Sequence, residues 1–199
     1  MPPIYLKLAM TITNSITARS SLLVLVVSTV NICLAENYSE SFEIPNSEWR
    51  VESQCSTVAK TSQCTISVNN GSTDEKVLDY PTPLSSASYE KGVFLLTFGC
   101  GTACSATYAY KIGGQLGGPF PLVEAADNER EVVMSLGVKS VLFYRMFGNN
   151  DEPIHEITPN LGDSNLLDNV EEGNLEDHVF RLHYRHENAI KEIQYEAPL

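Results

Sequence analysis

Positive charge is what this sequence has least of. Lys and Arg number 13 against 25 Asp and Glu in 199 residues, a formal net charge of −12. A chain this acidic repels nucleic acid and anionic membrane surfaces, which excludes both as partners and leaves a cationic protein as the partner its field would attract. Catalytic signatures are missing too. There is no Gly-x-Ser-x-Gly elbow, no His-Glu-x-x-His pair, no phosphate loop and no Gly-x-Gly-x-x-Gly after a strand. No catalytic residue, metal ligand or cofactor is therefore nominated. Triads that assemble only in space still leave an unrecognised hydrolase as an alternative. Long apolar runs are absent as well: the stretch from Leu22 to Val30 falls far short of the ~20 residues that cross a bilayer.

That stretch belongs to a segment different in kind from the rest. In residues 1–35, Lys7 and Arg19 are the only charges, Leu and Val dominate from Ser21 onward, and Cys33-Leu34-Ala35 supplies small residues at its end. The pattern is that of a secretory signal peptide. It predicts a periplasmic or secreted protein that meets the membrane only through this segment, if it stays uncleaved. Residues 36–199 are then a single β-rich domain. Setting aside Lys7 and Arg19 leaves that domain 11 basic against 25 acidic side chains, a formal −14.

Four cysteines lie in the domain: Cys55, Cys64, Cys100 and Cys104. An even count in an exported chain favours disulfides. Of three possible pairings the local one, Cys55 with Cys64 and Cys100 with Cys104, is the simplest. Each short loop would contribute ~2–3 kcal/mol by the loop-entropy estimate. Two other chemistries compete at Cys100 and Cys104: a thiol or copper-handling site, with Met134, Met146 or a histidine completing the shell, and a zinc site shared with Cys55 and Cys64, which oxidation would defeat.

Helix signals are nearly absent, whereas strand signals recur along the chain. Residues 36–46 are polar and read as a loose N-terminal arm before Trp49. Thr65 to Asn69 alternates, with Asn70-Gly71 as a hairpin signal beyond it. Pro81-Thr82-Pro83 followed by Leu84 to Ser88 reads as a connector. Val93 to Phe98 is continuously apolar, as in a strand covered on both faces, and the glycines around Cys100 lead into a second strand ending at Ile112. Pro121 to Ala126 and Val132 to Leu136 bracket a turn at Asp127-Asn128-Glu129. Ser140 to Phe147 is a strong strand. Residues 151–177 read as an acidic surface excursion, with one short helix starting at Asp163 or Ser164. Val179 to Arg185 and Ala189 to Tyr195 close the chain as a hairpin around Glu187-Asn188. The sum predicts an all-β fold: an antiparallel sandwich or small barrel of about eight strands, disulfide-tied, with at most one short helix. No convincing period of 20–50 residues recurs.

The candidate recognition residues sit near the C-terminus. Alternation across Val179 to Arg185 puts Phe180, Leu182 and Tyr184 on one face and Arg181, His183 and Arg185 on the other. The second set is a cationic ladder, either paired with the acids between Glu171 and Asp177 or offered to a partner. Glu171, Glu172 and Asp177 are the acidic candidates. Their spacing does not match a calcium loop, and parity separates His178 and His186 from His183, which weakens a metal reading.

The segment Phe98-Gly99-Cys100-Gly101-Thr102-Ala103-Cys104, with a strand on each side, resembles a motif of small exported β-rich proteins of Gram-negative bacteria with no assigned activity. The chain is also broadly similar to periplasmic lysozyme inhibitors, which are small, exported, β-rich and disulfide-tied. Their Ser-x-x-Ala-x-Tyr type of segment is met in part by Ser85-Ser86-Ala87-Ser88-Tyr89. The resemblance implies a cell-envelope address and a β-rich build and carries no residue role across. Export, acidity, the disulfide-tied scaffold and the lack of catalytic motifs point to a non-enzymatic binding protein that inhibits or neutralises a cationic lysozyme-like or toxin enzyme.

Overall fold

The computed structural model describes residues 36–58, 61–102, 104–148 and 152–199, so the expected signal peptide lies outside the described residues. Fifteen strands form four antiparallel meanders in chain order. The first sheet contains β1 (Glu36–Glu43), β2 (Arg50–Val58), β3 (Thr61–Asn69) and β4 (Asp74–Tyr80); the second contains β5 (Leu84–Glu90), β6 (Val93–Gly101), β7 (Cys104–Lys111) and β8 (Gln115–Pro121). The third sheet contains β9 (Val123–Asp127), β10 (Val132–Leu136), β11 (Val141–Arg145) and β12 (His155–Ile157). The fourth contains β13 (Val170–Glu176), β14 (Val179–His186) and β15 (Ala189–Glu196). The all-β, antiparallel, disulfide-tied expectation holds, with more strands than the expected eight and no helix among the described residues.

Several local expectations change. Glu36–Glu43, expected within a loose arm, pairs along its whole length with β2, from Glu36 opposite Thr57 to Glu43 opposite Arg50. Its polarity reflects an edge strand facing water, which local composition does not distinguish from a loop. The acidic excursion contains β12 and β13, and Leu161 and Leu166 anchor the chain between them in the core. Turns stand where the short helix was expected at Asp163 or Ser164. The segment after Pro83, expected as a connector, is β5.

A repeat also emerges. The four sheets begin at Glu36, Leu84, Val123 and Val170, separated by 48, 39 and 47 residues. In the last three, a valine opens the second strand nine residues after the start: Val93, Val132 and Val179. The unit is a meander rather than a sequence motif, so the period lies in turn positions and little in residue identity.

The sheets pack face to face in series. Phe94, Leu96 and Phe98 of β6 project toward Val51, Ile66 and Val68 of the first sheet. Val93 of β6 and Phe120 of β8 project the other way, against Val133, Met146 and Phe147. The third sheet repeats the device: Val132, Met134 and Phe143 meet Phe180, Leu182 and Ile193 of the fourth. Two-faced burial explains why β6 from Val93 to Phe98 and β10 are predominantly apolar where other strands alternate. Phe143 stands centrally in the last layer, with ring centroids 4.1 Å from Tyr195 and 5.5 Å from Phe180. Burying each such ring contributes about 1.5–3 kcal/mol.

Both outward faces of the stack are polar. The first sheet presents Ser39, Gln54, Thr65 and Ser67, and the fourth presents Arg181, His183 and Arg185. Terminal units of a stacked array need such faces to stay soluble.

The disulfides follow the local pairing. Cys55 and Cys64 are direct cross-strand partners with Cα atoms 4.0 Å apart, and Cys100–Cys104 closes the β6–β7 turn. A polar tie adds to the apolar contact between the first two sheets. The Tyr110 hydroxyl donates to Glu75 Oε2 at 2.5 Å, and the Gly113 amide donates to the same oxygen at 3.1 Å. These two bonds hold the Glu75 carboxyl below the usual carboxylate range, while burial and the carboxylate together push the Tyr110 phenol up to about 12. A depressed folded-state value means that Glu75 contributes stability above its unfolded value of about 4.3, and that this is lost as pH falls through the folded value. Glu75→Gln should therefore melt below the wild type near neutral pH. In calorimetric scans the two melting temperatures should converge as the pH drops below roughly 4.

Candidate functional site

The first strands of the last three sheets share an irregularity at the same place. In β5, Leu84 pairs with Phe98 and Ser86 with Thr97, which leaves Ser85 as an extra residue. In β9, Val123 pairs with Ser135 and Ala125 with Met134, leaving Glu124. In β13, Val170 pairs with Tyr184 and Glu172 with His183, leaving Glu171. A bulge of this kind turns the extra side chain away from the regular alternation, and bulges recur beside functional sites for that reason.

The three extra residues differ in what they find. Ser85 Oγ accepts the Gly99 amide at 2.9 Å, which fastens β5 to the start of the cysteine turn. Glu171 takes both arms of Arg185, at 2.8 Å from Nε and 2.7 Å from Nη2. Glu124 has neither a hydrogen bond nor an ion pair among the described residues; its side chain is exposed to solvent, and the partial burial it does have raises its carboxyl above the usual glutamate value.

Glu124 stands where two clefts meet. One, of about 580 Å³, lies between β5 and β9 and is floored by the second sheet, with Ser86, Ser88, Leu95, Thr97 and Thr107 among its walls. Thr97 and Thr107 share a hydrogen bond of 3.0 Å across that floor. The other, of about 340 Å³, lies toward β13 and is walled by Leu122, Leu136, Leu167, Val170 and Glu171. Gly173 of β13 makes this arrangement possible. A Cβ there would stand 2.8 Å from Glu124 Cβ and 3.0 Å from Met134 Cε, so any larger residue would push β13 off β9. Asn128 closes one end of the larger cleft, and its Oδ1 is buried without a hydrogen-bond partner.

Beyond Asn128 the β5–β6, β9–β10 and β13–β14 turns converge on a smaller pocket of about 240 Å³. Buried Asp127 organises it. Its Oδ1 accepts the amides of Glu129 and Arg130 at 3.1 and 2.9 Å, and its Oδ2 lies 2.7 Å from His178 Nδ1. Glu90, Glu129 and Asp177 surround this pocket, with Lys91 3.9 Å from Glu129. A carboxylate orienting an imidazole is half of a hydrolytic triad, but no serine or cysteine lines the pocket. The pair instead ties the third sheet's turn to the fourth's.

Of the residues nominated from sequence, Glu171 lines the 340 Å³ cleft and Asp177 the 240 Å³ pocket, while Arg181, His183, Arg185 and Glu172 lie elsewhere. Arg181, His183 and Arg185 share the outward face of the fourth sheet, as parity required, and each meets an acid. Arg181 Nη1 lies 3.0 Å from Glu192, His183 Nε2 3.4 Å from Glu192, and Arg185 is held by Glu171. Arg181 Nε has no hydrogen bond, although Glu176 lies 3.5 Å away as an ion-pair partner. Glu192 thereby titrates below the usual range, its bond from Gln194 first and those from Arg181 and His183 after it. Glu172 sits on the same face opposite His183, and Asp177 is in the β13–β14 turn. Cys55, Cys64, Cys100 and Cys104 are all in disulfides and present no thiolate, while Met134 and Met146 are buried in the core. No trio of His, Cys, Asp or Glu is grouped to hold a metal ion among the described residues.

Glu124 is passed over in the sequence, where Asp127 reads only as part of a turn and His178 only as a weakened metal candidate, and the last two are not paired there. The one available signal was an acid inside an otherwise apolar strand, Val123-Glu124-Ala125-Ala126, which is a local inconsistency of the sort functional sites produce. No protein-family model matches the chain, and no curated protein matches it.

A raised carboxyl value carries its own test. The folded state disfavours the Glu124 charge, so the penalty is present at neutral pH and fades as pH falls through the folded value toward the unfolded one. Glu124→Gln should therefore melt above the wild type near pH 7 and level with it near about pH 4, the opposite sign to Glu75→Gln. Equal melting temperatures at both values would remove the case for a partly buried, unpaired carboxylate.

Proposed function

We propose that this chain is an exported, non-enzymatic binding protein that occludes a cationic protein partner, a lysozyme-like or toxin enzyme being the target class. The observation that carries this reading is Glu124, a solvent-exposed carboxylate set by a bulge at the meeting of two clefts, where no cation among the described residues neutralises it. A Lys or Arg of a partner supplies the missing charge. Glu90, Glu129 and Asp177 extend the acidic field along the same rim, and the formal −14 of residues 36–199 steers a cationic body toward it.

The remaining features agree with this role. Disulfides suit an oxidising compartment, and among the described residues no helix is long and apolar enough to cross a membrane. A stack of sheets locked by two-faced cores is a rigid support for a recognition cleft, which limits the ordering cost of binding. Ser86 to Tyr89, four of the five residues of the segment similar to the lysozyme inhibitors' Ser-x-x-Ala-x-Tyr type, line the cleft as part of β5.

Titration calorimetry against a lysozyme, followed by assay of its residual hydrolytic activity, tests the proposal. Saturable binding at about 20 mM salt should weaken at least tenfold at about 300 mM, because the attraction is screened. Glu124→Gln should cost at least a further tenfold at low salt, as loss of one charge-assisted contact. Absence of saturable binding, or an unchanged affinity in Glu124→Gln, would overturn the reading.

A further inference from the structure

Every meander leaves two strand edges unpaired, and a soluble protein must keep such edges from recruiting other chains. Most of those here are protected in recognised ways. β4 carries Asp74, Glu75, Lys76 and Asp79, and β15 carries Lys191, Glu192 and Glu196. Three acids protect β13, two prolines protect β8, and β12 has only three residues. β1 carries Glu40 and Glu43, and β9 has its bulge, Glu124 and Asp127.

β5 is the exception. Leu-Ser-Ser-Ala-Ser-Tyr-Glu contains no Lys, Arg or Pro, and its one charge, Glu90, is the last residue. Its bulge lies at Ser85, which leaves Ser86 to Glu90 as five regular residues. They pair with β6 on one side only, and no other backbone hydrogen bond reaches them among the described residues. All five line the larger cleft, where the side chains across from them on β9 include only the small Ala125 and Ala126 besides Val123 and Glu124. An unprotected edge thus coincides with an open cleft and an unpaired carboxylate.

We propose that β5 takes up an extended segment of the cationic partner as an added strand, placing a Lys or Arg of that segment on Glu124. The proposal rests on the binding reading above and names its mode. Five residues at about 3.4 Å each match a partner strand of roughly the same length. The pleat dictates the segment's pattern. Ser86 and Ser88 share a face with Leu95 and Thr97, the face that looks onto the cleft, whereas Ala87 and Tyr89 share a face with Leu96 and Phe94 toward the first sheet. A strand added beside β5 continues both faces. Its central residue on the cleft side is the basic one, and its two neighbours, on the side of Ala87 and Tyr89, are apolar. Main-chain bonds supply affinity and the alternating side chains supply selectivity, as in other strand-addition complexes.

The probe is the peptide acetyl-Thr-Val-Lys-Val-Thr-amide, titrated into the full chain and followed by NMR and by hydrogen exchange of the β5 amides. Saturable binding with new protection confined to β5 is expected. Only alternate amides of an added strand point at β5. Of two analogues, one N-methylated at both valines and one at Thr, Lys and Thr, a single one should therefore lose at least tenfold in affinity. Replacing the peptide lysine by glutamate should cost at least tenfold as well. So should Ser88→Lys, which places a protecting charge on an exposed position and leaves the circular dichroism unchanged. Equal affinity of the two N-methylated analogues would overturn strand addition while leaving the salt-dependent lysozyme binding, and hence the broader reading, intact. No binding of the parent peptide, or self-association through β5 that the peptide cannot displace, would overturn it too.

Discussion

Everything in this molecule depends on the second and third sheets burying both of their faces. An isolated hairpin is marginal in water, and a meander of three or four strands becomes stable only with a hydrophobic face to bury. Stacking removes the difficulty: Phe94 and Phe98 seal one face of β6 while Val93 seals the other, and Met134 and Val133 do the same for β10. The end sheets need one apolar face each, and their outward faces are accordingly hydroxyl-rich or laced with ion pairs. Disulfides and the Glu75–Tyr110 bond trim this arrangement without defining it, since each disulfide joins segments that the strand register already holds together.

The same constraint generates the candidate site. When sheets of equal construction are stacked, their first strands line up along one side, and the faces buried between them cannot extend to the strand edges. Clefts open there, on either side of β9. The bulges at Ser85, Glu124 and Glu171 lie at this margin, where the ladder can lose a pair at little cost to the core. Two of them are satisfied within the chain, by Gly99 and by Arg185. The third, Glu124, has no hydrogen bond or ion pair among the described residues and stands open to the clefts on either side of it.

Legibility in the sequence followed range. Val93–Phe98 announced burial on both faces, Asp127-Asn128-Glu129 announced a turn, and parity in β14 correctly divided Phe180 and Leu182 from Arg181, His183 and Arg185. Each of these depends on residues within one hairpin. β1 and β5 were missed because an edge strand of Ser, Asn and Glu has the composition of a loop, and only its partner's register makes it a strand. The repeat was missed because its units share spacing and one valine rather than a motif.

The sequence by itself determined that the chain is antiparallel β, acidic, disulfide-tied and without the familiar catalytic signatures, because periodicity, charge and cysteine count are carried by the residues themselves. It made the local cysteine pairing the simplest of three, since partners so close in sequence can meet in local turns, and the structure decided for it. Tertiary structure alone decided that Arg185 would be spent on Glu171, that Glu124 would be left without a cation, and that β5 would keep a bare edge beside it. Those outcomes depend on which sheet lies against which and on where each register slips. Such distances are set by packing between segments 40 or more residues apart, as between Glu124 and Gly173, and no local pattern encodes them.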